Sequence, residues 1–394
     1  MRFKNSSGFS GREFIYIAVA SVALVSLYLW RLASLVPGIS ATEKLTSTTS
    51  LGWHGIYHHP FYLSLAILRS AAFKLVGQQH ISVLRVPNVL IGLLAVAGFV
   101  WIVYRWHSNR TALLTSLLFA TSAWVLHSSR LAGFDTLYLV AAPLLLAFYI
   151  GYQEKPGSRL WHYGSLLLWG VFIYVPGLIW VVLYMMYMQR SAIREGWRAF
   201  SLWRARLFYV FCGLIWLPLL IWRLRDLSNL KLWLGLPAHF GSYHEIIKQF
   251  VAVPVHLFVR GPQYPEQWLG RLPILDIFTL AACLIGLYFY LTNLKAGRSR
   301  LLIGLFMLSL LVIGLHGAVS LSLVVPLLYV FVAAGLAYLL REWLQKFPFN
   351  PLARAIGVGV ILVAVGLSCW YNLRSYYIAW PNNSVTKATF RERP

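Results

Sequence analysis

The stretch Thr111–Tyr152, TALLTSLLFATSAWVLHSSRLAGFDTLYLVAAPLLLAFYIGY, decides the fold class. Two apolar runs, 111–127 and 136–152, flank a polar notch, HSSRLAGFD, that extends from His127 to Asp135. Each run approaches the roughly 20 apolar residues needed to cross a hydrocarbon layer, so the notch reads as a turn at a membrane boundary. A carboxylate is costly in that position, and Asp135 is therefore a candidate functional residue.

The same pattern recurs along the chain, whose 394 residues are 59% hydrophobic and only 11% charged, as a polytopic membrane protein requires. Apolar segments near 14–36, 86–104, 111–127, 136–152, 161–175, 176–189, 207–223, 274–292, 300–315, 320–340 and 355–373 predict an all-α bundle of about eleven spans. The stretch 161–189 is read as two short helices meeting at Tyr174–Gly177. Lys155 and Arg159 precede it, Arg190, Arg194, Arg198, Arg204 and Arg206 follow it, and a single crossing would put one of these basic groups outside.

With Arg2, Lys4 and Arg12 inside, the short external turns near 128–135, 174–177 and 316–320 carry only Arg130 among Lys and Arg. The expected product is a multi-pass cell-membrane protein with a cytoplasmic N-terminus and an external C-terminus. Its first apolar segment exceeds a signal-peptide core and reads as an uncleaved anchor. Trp30, Trp106, Trp161, Trp222 and Trp370 fall near helix ends, where an interfacial aromatic belt sits.

A formal net charge of +23 could suggest a nucleic-acid partner. The cations are spread over many internal segments instead of forming one aromatic-interleaved patch, so topology and anionic headgroups account for them and nucleic acid is set aside. Cys212, Cys283 and Cys369 lie in predicted spans, with spacing that suits neither a disulfide framework nor a CxxC metal site.

The organisation expected is one transmembrane domain over 1–373, with long external loops 37–85 and 224–273, and an external tail 374–394. The first loop holds an amphipathic segment, Phe61–Val76, whose only charges are Arg69 and Lys74; it is expected to rest along the headgroups. Repeated prolines and glycines give the second loop an irregular or short-helical composition.

The segment Tyr57–Val96, YHHPFYLSLAILRSAAFKLVGQQHISVLRVPNVLIGLLAV, resembles the first-loop signature of GT-C integral-membrane glycosyltransferases. The likeness is to the protein mannosyltransferase and aminoarabinose transferase branch, in its bacterial members. The matching pieces are His58, Pro60, Phe61 and Tyr62, then Phe73–Gly77, then Leu84–Pro87. SSRLAGFDTLYL (Ser128–Leu139), GRLPILD (Gly270–Asp276) and YYIAWPNN (Tyr376–Asn383) are similar to later family pieces and follow in the same order.

The resemblance implies an enzyme that moves a sugar from a polyprenyl-phosphate donor to a lipid, glycan or protein acceptor on the external face. It implies an acidic residue or Asp-Glu pair early in the first loop as general base. In this chain that place reads Thr42-Glu43, which makes Glu43 the candidate base and Asp135 its partner or the group that orients the acceptor. Arg130, His58 and Arg85 are then candidates for the donor phosphate, and Tyr62 and His59 for the sugar or acceptor wall.

Each assignment has a plainer counterpart. Glu43 could pair with Lys44 on a solvated loop, Asp135 could cap the helix that follows it, and Arg130, Arg85 and Lys74 could snorkel to headgroups. The adjacent His58 and His59 lack the i, i+4 spacing that puts two ligands on one helix face; no cofactor is assured, and a divalent cation on His54, His58 and Glu43 is compatible with carboxylate and imidazole chemistry. Two other functions stay open, a catalytically inactive GT-C-like scaffold and a lipid-linked sugar flippase or transporter. Against transport stands the near absence of charges within the apolar spans.

Overall fold

The computed structural model describes residues 11–49, 61–77, 80–155, 158–199, 202–224, 227–237, 242–262, 266–267, 269, 272–315 and 319–392. His58 and His59 lie outside these residues. Most of the described residues are helical and none forms a strand, and one isolated antiparallel bridge joins Ile39 to Glu392.

Every predicted apolar segment holds a helix, but the helices differ in length. The first is α1 (Gly11–Leu29); α2 (Ala41–Thr49) and α3 (Leu63–Val76) then belong to the first loop. They are followed by α4 (Ile81–Trp106), α5 (Asn109–Thr121), α6 (Ala123–Arg130), α7 (Asp135–Glu154), α8 (Arg159–Phe172) and α9 (Leu178–Met188). Next come α10 (Arg190–Ala199), α11 (Leu202–Leu224), and, in the second loop, α12 (Leu227–Trp233) and α13 (Tyr243–Phe258). The remainder comprises α14 (Ile277–Thr292), α15 (Gly297–Gly314), α16 (Val325–Lys346), α17 (Pro351–Arg374) and α18 (Ser384–Thr389).

Five helical rods among the described residues are long and apolar enough to cross a membrane, or six if the bent pair α5–α6 is one span. The expected number of eleven is therefore not established. At ~1.5 Å per residue, the 11 residues of α9 rise only ~16 Å, about half a hydrocarbon layer. α8 and α9 are separate helices, and Gly177 turns the chain between them at φ 76°.

The segment expected as one span over 111–127 is broken by 56° between α5 and α6. Ser122 is extended there (φ −55°, ψ 131°), which frees backbone donors at apolar depth. Asn372 of α17 meets one of them, accepting from Ala123 N–H through Oδ1 at 3.1 Å. Irregular backbone survives in such a setting only where protein groups satisfy it.

The inner layer is α4, α7, α14 and α16, with α14 and α16 the most closely packed pair. A Cβ at Gly286 would collide with the Phe331 carbonyl, and one at Gly335 with that of Ala282, so two glycines bring these backbones together. Outward positions of α1 (Ile15, Val19, Val22) and α17 (Val360, Val363, Leu367) leave large apolar side chains exposed, the surface a lipid-facing helix presents.

The tail is not a separate appendage. α17 continues through a π-helical turn, Ser375–Ala379, so that Pro351–Asn382 form one 32-residue helical rod across the boundary expected at 373. The chain then returns through α18, and Phe390 is fully buried. Ile39 and Glu392 exchange backbone hydrogen bonds of 3.0 and 3.3 Å, which fastens the tail to the start of the first loop.

Candidate functional site

The polar notch His127–Asp135 is held by side chains from the first loop and α4. Arg69 lies on the only buried stripe of α3, between Leu65 and Phe73, and therefore points inward, although it belongs to a helix expected to lie at the headgroups. Its Nη2 donates to the carbonyls of Ala132 (2.6 Å) and Gly133 (3.3 Å) and to Asn88 Oδ1 (2.9 Å). Asn88 donates in turn to Gly133 O (2.8 Å) and Thr136 Oγ1 (2.7 Å). Burial pulls the Arg69 guanidinium down to about 10, opposed by the nearby Glu43 charge.

Glu43 completes this cradle from α2. Its carboxylate takes two parallel bonds of 2.9 Å from Arg85 Nε and Nη2, one of 2.8 Å from Ala132 N–H and one of 3.2 Å from Ser40 N–H. Both members of the ion pair are 1% exposed, so the pairing with Lys44 expected for a solvated loop does not form; Lys44 pairs with Glu392 at 2.9 Å. Burial pushes the Glu43 carboxyl up, but Arg85 and the hydrogen bonds outweigh it and hold the group below the usual carboxylate value.

Arg85 and Arg130 were expected at the donor phosphate, and both reach backbone carbonyls at the entry to the first loop. Besides Glu43, Arg85 donates to the carbonyls of Leu32 (2.9 Å) and Gly38 (3.0 Å). The Arg130 guanidinium packs over the rings of Tyr377 (4.8 Å) and Tyr376 (5.2 Å) and donates through Nη2 to the Trp30 carbonyl. Arg130 is 1% exposed and does not snorkel. These two arginines pin the carbonyls of the segment that leads from α1 into the first loop.

Beside the notch opens a cavity of about 550 Å³. Asp135 and Glu43 both line it, and so does Glu266 from the second loop. Asp135 is the first residue of α7, after Phe134 at the N-cap, and lines the cavity beside Ser320 and Gln267. Glu266 accepts from Thr42 N–H at 3.0 Å and from the Thr42 hydroxyl, joining the second loop to the first. The carboxylate that sequence reasoning sought beside Glu43 is thus supplied at Thr42 from 224 residues away.

The aromatic wall is Tyr62, Phe134 and Tyr138. Tyr62 stacks on Phe134 with centroids 3.9 Å apart and planes 11° apart. The Tyr62 and Tyr138 hydroxyls lie 3.4 Å apart, and Tyr138 donates to Pro176 O at 3.0 Å in the turn between α8 and α9. Burial, reinforced by the Asp135 charge, pushes the Tyr62 phenol up to about 12 despite the Tyr138 hydrogen bond. His127 and His256 also border the cavity, whereas no Lys or Arg does so among the described residues. Nor does any group of three His, Cys, Asp or Glu side chains with metal-binding geometry occur among them.

These features define a polytopic all-α membrane protein with a GT-C-like fold, built around one carboxylate-lined cavity. The chain is similar over nearly all its length to the crystal structures of ArnT from Cupriavidus metallidurans. Against the apo state the TM-score is 0.55 at 14% identity, covering 95% of this chain and 76% of the other. Against ArnT bound to undecaprenyl phosphate it is again 0.55 at 14%, covering 96% and 77%. No family model and no curated protein matches the sequence.

Proposed function

We propose that this chain is a membrane glycosyltransferase that passes a sugar from a polyprenyl-phosphate donor to an acceptor hydroxyl or amine. The observation that carries this reading is the convergence of Asp135 and Glu266, from the notch and the second loop, on one aromatic-walled cavity. The undecaprenyl phosphate in the similar ArnT structure supports the donor class. Sugar transfer of this kind needs a carboxylate to take the acceptor proton while the bond from the anomeric carbon to phosphate oxygen breaks.

The geometry favours a division of labour different from the sequence-based one. All of Glu43's hydrogen-bonding capacity is committed, so it organises the notch, and Asp135 is the better base. Glu266 is poised through Thr42 to orient the acceptor. The phosphate leaves with the polyprenyl chain, and His127 and His256 are the described imidazoles bordering the cavity that can hydrogen-bond to it. His58 and His59, outside the described residues, keep the roles that the resemblance implies. The cavity opens to the external side, where the charge distribution orients the notch.

The test is a comparison of envelope glycolipids and glycans between wild-type and deletion strains. One sugar-bearing species should disappear on deletion and return with the wild-type gene, but not with Asp135→Asn at equal protein level. Full restoration by Asp135→Asn and by Glu266→Gln would reject the reading.

A further inference from the structure

A second cavity, of about 570 Å³, lies between the end of α1 and the returning tail. Arg31, Lys387 and Arg391 line it together with Ser34, Asn382 and Tyr377, and no carboxylate does. Three cations sharing one hollow repel one another, and an anion placed among them relieves that repulsion.

The hollow is built rather than incidental. On one side, the segment Trp30–Gly38 is fixed by buried guanidinium groups: Arg130 holds the Trp30 carbonyl, and Arg85 those of Leu32 and Gly38. Within that segment Arg31 is held at φ 52°, a left-handed conformation that non-glycine residues avoid unless their surroundings impose it. On the other side, the Ile39–Glu392 bridge sets α18, and with it Lys387, across from Arg31. Glu392, the nearest acid in sequence, is engaged by Lys44 at 2.9 Å. The π-helical turn that carries Tyr377 is a rare local geometry, one that recurs at functional sites. Trp30 packs 5.1 Å from Tyr377, so the hollow sits where two interfacial aromatics meet.

We infer that this cavity binds a phosphate group, presented at headgroup level by an anionic lipid or free in solution, at a site separate from the carboxylate-lined cavity. Arg31 supplies a planar donor fork suited to phosphate oxygens, and Lys387 and Arg391 supply converging charge. The inference does not depend on sugar transfer, because no residue of the carboxylate cavity takes part.

The test uses the full chain in detergent micelles doped with phosphatidylglycerol or phosphatidylcholine, with retained lipid counted by native mass spectrometry. Phosphatidylglycerol should be retained selectively, and Lys387→Gln, an exposed substitution that leaves the fold intact, should cut retention about fivefold, with a similar further loss in Arg31→Gln/Lys387→Gln. Lys346→Gln, at the end of α16, should change nothing. Inorganic phosphate titrated into the same samples separates the two sources: displacement of the lipid assigns the site to the phosphate group itself, and lack of displacement with lipid retained assigns it to the lipid headgroup. Absence of both lipid selectivity and phosphate binding would overturn the inference, as would equal losses from Lys346→Gln and Lys387→Gln.

Discussion

Glu43 and Arg85 form an ion pair with 1% exposure at each member, and removal of either leaves an uncompensated charge in the fold. Arg85→Met should cost about 3–5 kcal/mol, whereas Glu43→Leu/Arg85→Met should cost less than Arg85→Met alone; denaturant unfolding of the purified protein measures both. Because the folded Glu43 carboxyl titrates below its ordinary value, its stabilisation is complete above the unfolded pKa and is lost as pH falls through the folded one. Midpoint temperature should accordingly drop in acid for the wild type, with a shallower drop in Glu43→Gln. Asp135→Asn, by contrast, should leave folding nearly unchanged and lower sugar transfer about 10²–10⁴-fold, the range for loss of a general base, as read in membranes at matched protein level. The place of Asp135 at the cavity was legible in part, because a carboxylate between two apolar runs marks a membrane-boundary turn, although the same position also suited a helix cap. Arg69, Asn88 and Glu266 were not, since each acts on a segment far away in the chain and has no local signature beyond ordinary polarity. The one usable hint was the Leu65, Arg69, Phe73 spacing, which sets Arg69 on the same helix face as two apolar residues.

At the scale of elements, apolar length alone located a helix in each predicted segment, and the two short helices α8 and α9 followed from charge placement. The 56° break at Ser122 did not show, because it depends on Asn372 of a distant helix to satisfy the freed backbone donor. α13 was legible in part. Its Ser242-x-x-Glu245 capping box is present, with Ser242 N–H donating to Glu245 at 2.8 Å, but the surrounding prolines and glycines gave the loop an irregular appearance. The α14–α16 contact makes the clearest prediction. Gly335→Leu should force the backbones apart and cost more than the roughly 1–3 kcal/mol of ordinary overpacking, because the obstacle is the Ala282 carbonyl rather than a movable side chain. The same substitution at Gly359 of α17, where a Cβ meets open space, should leave the unfolding midpoint nearly unchanged.

Across the whole molecule, the two loops, the notch and the tail meet at one end of the helix bundle, and buried polar bonds fasten them there. Arg69 and Glu43 hold the notch, Glu266 joins the second loop to Thr42, and the Ile39–Glu392 bridge returns the tail to the first loop. Hydropathy could place the helices that lead to this end. It could not show that the tail helps build it, because the boundary at 373 marks a fall in apolar content while the helical rod continues to Asn382. Sugar transfer is proposed to occur at the carboxylate-lined cavity. Its most direct test is transfer of radiolabelled sugar from polyprenyl-phosphate lipids, extracted from the native membrane, by the purified protein in proteoliposomes containing envelope acceptors. The wild type should release polyprenyl phosphate and label an acceptor, and Asp135→Asn should do neither while keeping its fold. Equal labelling by the two proteins, or none by a folded wild type supplied with intact donor, would contradict it.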